Sequence, residues 1–140
     1  MSRFLGIDYG AKRIGLAVGD DASHFASPVK TIRGCGHIRG DAVAVEACVK
    51  EFDIDGIVIG LPLNMDDTEG PQAKIIRSFG EALGAMTDLT IHYADERLSS
   101  IAAEELIRPA ELTRKKKRAR IDRVAAQVIL QSFLDERRNA

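Results

Sequence analysis

The sequence has little of several things that would narrow its chemistry at once. Its only two cysteines, Cys35 and Cys48, lie outside any CxxC or Cys/His spacing, which excludes a zinc site of the usual kind and leaves a loop thiol and a core residue. The three histidines, His24, His37 and His92, have no mutual spacing that suggests a ligand set. No apolar run approaches the roughly 20 residues needed to cross a bilayer. The opening MSRFLGIDYG enters a patterned strand with no charged segment, apolar stretch and cleavage site ahead of it, so no secretory signal is read and the cytoplasm is the expected location. Tryptophan is absent, and neither Tyr9 nor Tyr93 belongs to a base-stacking motif; both flank expected strand ends. There are no repeats or low-complexity tracts.

What is present is an ordinary globular composition, 45% hydrophobic and 29% charged over 140 residues. That length supports one full core and is short for two, so residues 1–140 are expected to form a single domain. The net charge of −1 hides an asymmetry: residues 114–140 hold nine Arg or Lys against three Asp or Glu, whereas residues 1–113 hold eleven against eighteen. An acidic body therefore carries a basic C-terminal segment. The body can concentrate carboxylates while the segment meets a polyanion.

Residues 3–9 alternate, with Leu5, Ile7 and Tyr9 on one face and Phe4, Gly6 and Asp8 on the other, a strand pattern. A short turn leads into RIGLAVG and completes a hairpin. A third strand is expected around Phe25–Ile32, ending in the glycine-broken loop GCGHIRG. Val45, Cys48, Val49 and Phe52 then make a helical stripe, with Asp41 as the expected cap. DGIVIGLP reads as a strand buried on both faces. A helix over about 70–84, a strand from Leu89 to Tyr93, a turn ADERLSS and a helix ending before Pro109 follow. Residues 109–117 show no apolar period, and the final helix is expected over about 118–137. The order β-β-β-α-β-α-β-α-α predicts an α/β fold: a mixed five-stranded sheet, antiparallel meander plus parallel strands, with helices on both faces.

Ligands gather at the carboxyl ends of strands in such sheets, which draws attention to three acids. Asp8 closes the first strand and Glu96 follows the fifth. Asp122, in ARIDRVAA, shares an arc of its helix with Ile121, Ala125, Ile129 and Phe133, where a lone carboxylate must be protonated or find a partner. Arg118 at i−4 is one candidate partner; a metal ion is another. Three carboxylates from separated segments suit Mg2+ or Mn2+, hard cations that need several oxygen ligands. Two such ions would serve phosphodiester hydrolysis. Each acid also has a plain reading: Asp8 as a turn residue, Glu96 paired with Arg97 or Lys12, Asp122 paired with Arg118. Asp66, Asp67 and Glu69 precede a helix, where the dipole favours acids, and are left outside the set.

Four stretches, GIDYGAKRIGLAVGD, GLPLNMDDTEGPQA, ADERLSS and RIDRVAAQVILQ, together resemble the YqgF family, also called RuvX, over nearly the whole length. The resemblance implies an RNase H-like fold related to the RuvC Holliday junction resolvases. It also implies a nuclease, assigned in the family to maturation of the 5′ end of pre-16S rRNA or, alternatively, to resolving Holliday junctions in DNA. Carried over by position, the family's acids fall on Asp8, Glu96 and Asp122. RuvC-type proteins keep an acid at the end of the fourth strand, where this chain reads GLPLN, so Glu96 must serve instead, with Asp95 a possible substitute. Asp67 stands where Gly is usual and Gly19 where Ser is usual. Arg114, Lys115, Lys116, Lys117, Arg118 and Arg120 precede the last acid and are expected to hold phosphates, supplemented by Lys12, Arg13 and Arg97.

Two rival classes share some of these features. A non-catalytic RNA-binding module for ribosome assembly would keep the fold without the chemistry. GIDYG also looks like the first phosphate loop of actin-like ATPases and sugar kinases, but those enzymes close two such domains over a nucleotide, and that reading leaves the helix acid and the lysine cluster unexplained. Neither RNA over DNA nor the oligomeric state is read from the sequence.

Overall fold

Alternation in the first third of the chain produces the meander it predicts. In the computed structural model, which describes residues 1–64, 66, 68–95 and 114–138 (backbone only over 114–120), Arg3–Tyr9 (β1), Arg13–Asp20 (β2) and Ala26–Arg33 (β3) pair antiparallel in succession. Gly10 N–H donates to the Arg13 carbonyl at 3.0 Å and closes the first turn. Asp20 Oδ1 accepts from the backbone N–H groups of Ala22 and Ser23 and shapes the second. Gly56–Leu61 (β4) joins β1 in parallel and Thr90–Asp95 (β5) joins β4 in parallel, giving the sheet order β3-β2-β1-β4-β5. Every residue of β4 is buried, as its unbroken apolar run requires of a strand covered on both faces.

The two faces are covered differently. Ile38–Glu51 (α1) and Pro71–Met86 (α2) lie on the side of Leu5, Ile7, Tyr9, Ile14 and Leu16, where Val45, Ile76, Phe79 and Leu83 complete the larger core. The other side takes one long helix, Arg114–Arg138 (α3), whose Ala126, Ile129, Leu130 and Leu134 pack on Phe4, Ala17, Ala26 and Val58. Asp8 has the parity of Phe4 and Gly6, so it belongs to the α3 side.

Three local expectations are corrected. Asp41 is not the cap of α1: the helix begins at Ile38, inside the glycine-broken loop, and His37 Nδ1 accepts the capping bond from Gly40 N–H at 3.0 Å. Asp41 is drawn inward by a tertiary bond instead. β5 runs on to Asp95, which pairs with Leu61, rather than stopping at Tyr93. α3 starts at Arg114, within the segment that shows no apolar period; that segment has no apolar stripe because its charged residues lie ahead of the packed part of the helix. The helix expected between Ser99 and Pro109 lies outside the described residues.

Glycines set how closely α3 sits. A Cβ on Gly15 would fall 1.9 Å from the Asp122 carbonyl oxygen and 2.2 Å from its carbon, and one on Gly6 would fall 2.7 Å from Leu130 Cβ. The helix backbone thus rests directly on the sheet at Gly15. Gly15→Ala is expected to push the helix outward and cost about 1–3 kcal/mol, as overpacking does. Urea unfolding would report this as a lower midpoint at constant slope; an unmoved midpoint would show that the helix is not seated there.

Candidate active site

The seating of α3 on Gly15 brings two of the expected acids together. Gly15 is the register partner of Asp8 across the β1–β2 ladder, and the Asp122 backbone lies over Gly15. Both carboxylates line one cavity of about 280 Å³, with Tyr9, Gly10, Ala11, Lys12 and Arg13. Residues from the end of a strand, a hairpin turn and a helix therefore meet around an open space whose donors are oxygen on one side and cationic nitrogen on the other.

Asp122 is partnered, but by a residue that sequence pattern does not pair with it. Its Oδ2 accepts from Arg13 Nε at 2.5 Å, and the two side chains are 18% and 38% exposed. Arg118, one of the two candidate partners, is described in backbone only. Sequence offers Arg13 only as a phosphate-binding candidate, because nothing local links it to a residue so far along the chain.

A second carboxylate carries no such signal in the sequence. Asp41, 2% exposed, accepts from Tyr9 O–H at 2.6 Å through Oδ2 and from Cys35 N–H at 2.8 Å through Oδ1. It fastens the residue after Asp8 to the loop between β3 and α1. Tyr9 also stacks on Phe79, with ring centroids 4.1 Å apart. Burial first, and then the hydrogen bond to Asp41 and its charge, push the Tyr9 phenol above its ordinary value. An acid between Gly40 and Ala42 looks like a helix cap, which is why local pattern misses this role.

The remaining expected residues divide clearly. Glu96 and Arg97 lie outside the described residues, as does Asp67. Asp95 shares the parity of Ile91 and Tyr93, which pack toward α1 and α2, and so occupies the face opposite Asp8. Glu69 forms a two-pronged pair with Arg77 at 2.6 and 2.8 Å, and Asp66 accepts from Thr68, which accounts for both without a catalytic role. Of the histidines, His37 caps α1 and His92 packs among Phe4 and Phe133. Cys35 is exposed and Cys48 buried, both free. Among the described residues no group of three or more His, Cys, Asp or Glu gathers as a metal cluster. Arg114 to Arg120 form the first turns of α3.

A family model described as "RuvX: Holliday junction resolvase" matches residues 2–136. A protein of Ruegeria pomeroyi named "Putative pre-16S rRNA nuclease" is 45% identical over 99% of this chain and 89% of its own length. Among solved structures, Thermus thermophilus RuvC in complex with a Holliday junction substrate is similar in fold, with a TM-score of 0.58 at 13% identity, covering 100% of this chain and 98% of that one. The fold is accordingly RNase H-like. A ROK family protein from Streptococcus pneumoniae in complex with sucrose is also similar in fold, with a TM-score of 0.50 at 19% identity, over 79% of this chain and 39% of that one.

The Tyr9–Asp41 bond has a measurable signature. Tyr9→Phe strands one oxygen of a buried carboxylate and is expected to cost about 1–3 kcal/mol near neutral pH. The phenol is raised in the folded state, so the folded protein holds its proton where the unfolded chain, titrating near 10.0, has lost it. Stability linked to Tyr9 is therefore complete below about pH 10 and declines as pH rises beyond it. Unfolding from pH 8 to 11 should show that alkaline decline reduced in Tyr9→Phe; an identical decline in both proteins would assign it to other groups.

Proposed function

Because the chain belongs to the RuvX family, we propose that it is a divalent-metal-dependent nuclease, acting as one domain over residues 1–140, that hydrolyses phosphodiester bonds at the 5′ end of pre-16S rRNA. Asp8 and Asp122 are its carboxylates in the described structure, and Glu96 is the third. The observation that carries this reading is the meeting of Asp8 and Asp122 at one cavity edged by Lys12 and Arg13.

The donor set fits a hard cation. It offers carboxylate oxygens from a strand end and a helix, and among the described residues neither His nor Cys lines the cavity, which favours Mg2+ or Mn2+ over softer metals. Such ions, bound in a pair, activate water and stabilise the leaving oxygen in phosphodiester hydrolysis. The chain's own residues do the rest. Arg13 holds the Asp122 carboxylate in place, and Asp41 holds Tyr9, next to Asp8, against the α1 side. Lys12, exposed on the β1–β2 turn, presents a cation at the rim where a phosphate would enter.

The start of α3 supports a polyanionic substrate. Arg114, Lys115, Lys116 and Lys117 occupy its first turn, with no acid among them, at the end where the helix dipole favours negative charge. They work against the stability of the helix they begin, and a nucleic-acid backbone would offset that cost. At about 1.5 Å rise per residue, Lys116 lies only about 9 Å along the axis from Asp122. The basic cluster and the acids can thus act on one stretch of backbone.

Asp8→Asn and Asp122→Asn are each expected to reduce cleavage of a pre-16S rRNA leader in Mg2+ or Mn2+ to background while retaining RNA binding. The Arg13–Asp122 pair is partly exposed, so Asp122→Asn should lose no more than about 1 kcal/mol of stability in EDTA. Wild-type cleavage by either variant would remove that acid from the site. A four-way DNA junction run in parallel separates rRNA processing from junction resolution. A wild-type protein that binds RNA but cuts neither substrate would favour the non-catalytic module, and ATP hydrolysis would favour the kinase-like reading.

Replacing Lys115, Lys116 and Lys117 together with Ala should weaken binding to unrelated sequences about equally, since phosphate contacts carry no direct base information. The salt dependence on single strands should fall by roughly 0.7 per lost contact. An unchanged slope would show that this turn does not touch the backbone.

A further inference from the structure

A larger groove continues past Arg13, away from the acids. It has a volume of about 730 Å³, and Ala11, Lys12 and Arg13 line both it and the acidic cavity, while residues 31–36 form its far wall. We propose that this groove is a second phosphate subsite, anchored by Arg33, that takes the nucleic-acid backbone on one side of the bond being cut. The inference rests on the nuclease reading and adds a path for the substrate.

Strand register supplies the geometry. Asp8, Gly15 and Thr31 are successive partners across β1, β2 and β3, and Arg13 and Arg33 are partners in the row beyond. Residues two apart on a strand point to the same face, so the acidic row and the basic row share the α3 side and stand roughly 7 Å apart along β2. Two arginines directly opposite each other repel. Asp122 neutralises Arg13, but Arg33 is exposed and makes no ion pair among the described residues, and the same holds for Lys12. Among the described residues no acid lines the groove. A phosphate placed between Lys12, Arg13 and Arg33 relieves that excess of positive charge.

The walls are built rather than loose. Gly34 N–H donates to the Lys12 carbonyl at 2.9 Å, and a Cβ on Gly34 would fall 2.2 Å from the Ala11 carbonyl oxygen, so the two loops are locked together at backbone distance. Buried Asp41 fixes the next residue, accepting from Cys35 N–H while it holds Tyr9. The same carboxylate thereby ties the groove wall to the strand end that carries Asp8. A backbone lying in the groove is aligned with the acids without any loop having to move.

Cys35 lines the groove and is exposed, whereas Cys48 is buried, so the native protein carries its own reporter. The experiment measures alkylation of Cys35 in EDTA, with and without a single-stranded RNA oligonucleotide, alongside RNA affinity at several salt concentrations. RNA should slow alkylation of Cys35. Arg33→Glu and Arg33→Ala should each relieve that protection, weaken RNA binding about threefold to tenfold and lower the salt slope by roughly 0.7. The alanine variant guards against a new pair between the introduced carboxylate and Arg13. Lys50→Ala, on the last turn of α1 and paired with Glu46, should match wild type in all three measurements. RNA that binds both Arg33 variants with the wild-type slope, and leaves Cys35 equally reactive in the complex, would overturn the subsite while the nuclease reading stands. A wild-type protein that binds neither RNA nor DNA and cuts neither would overturn both.

Discussion

The close approach of α3 to the sheet at Gly15 is the constraint on which the site depends. With any side chain at that position, the helix backbone could not lie where Asp122 now lies, because a Cβ would overlap its carbonyl group. Gly15 is also the cross-strand neighbour of Asp8, so the same contact that seats the helix brings the two acids to one cavity. Leu130 over Gly6 and Leu134 over Gly19 continue the seating along the helix. Apolar packing of Ala126, Ile129, Leu130 and Leu134 supplies the driving force, and the glycines determine how near it brings the backbone.

Charge of both signs is placed around that contact. Arg13 stands between the acidic row and the groove, bonded to Asp122 on one side and opposite Arg33 on the other. On the proposed function the acids would repel a phosphate unless cations accompany it; Lys12, Arg13 and Arg33 line the groove on one flank, and the sequence puts Arg114, Lys115, Lys116 and Lys117 at the start of α3. Asp41 is outside this surface. Its role is mechanical, since a single buried carboxylate, satisfied by Tyr9 and Cys35, braces both the strand end and the loop.

Elements with a strong hydrophobic period are legible in the amino-acid pattern alone. Alternation over residues 3–9 and 13–19 and the unbroken apolar run before Leu61 appear as β1, β2 and β4, because burial of one or both faces of a sheet demands those patterns. The boundaries that differ are decided by contacts between distant segments. Asp41 has the residue type of a cap but is captured by Tyr9. β5 extends to Asp95 because β4 offers it a partner in Leu61. α3 extends back to Arg114 because its later turns are packed, and a helix once nucleated propagates through residues with no apolar stripe of their own.

The candidate site divides along the same line. That Asp8 closes a strand, that Asp122 lies on an otherwise apolar helical arc, and that a basic run precedes it all follow from neighbours a few residues away, so the linear order of the chain is enough to specify them. The motifs likewise specify the family. Asp122 facing Arg13, Asp41 turned inward, Asp95 on the face away from Asp8, and Arg33 standing opposite Arg13 are set at the level of the packed fold. They depend on strand register and on the distance between helix and sheet. Both arise from packing among segments far apart in the chain, which local pattern does not encode.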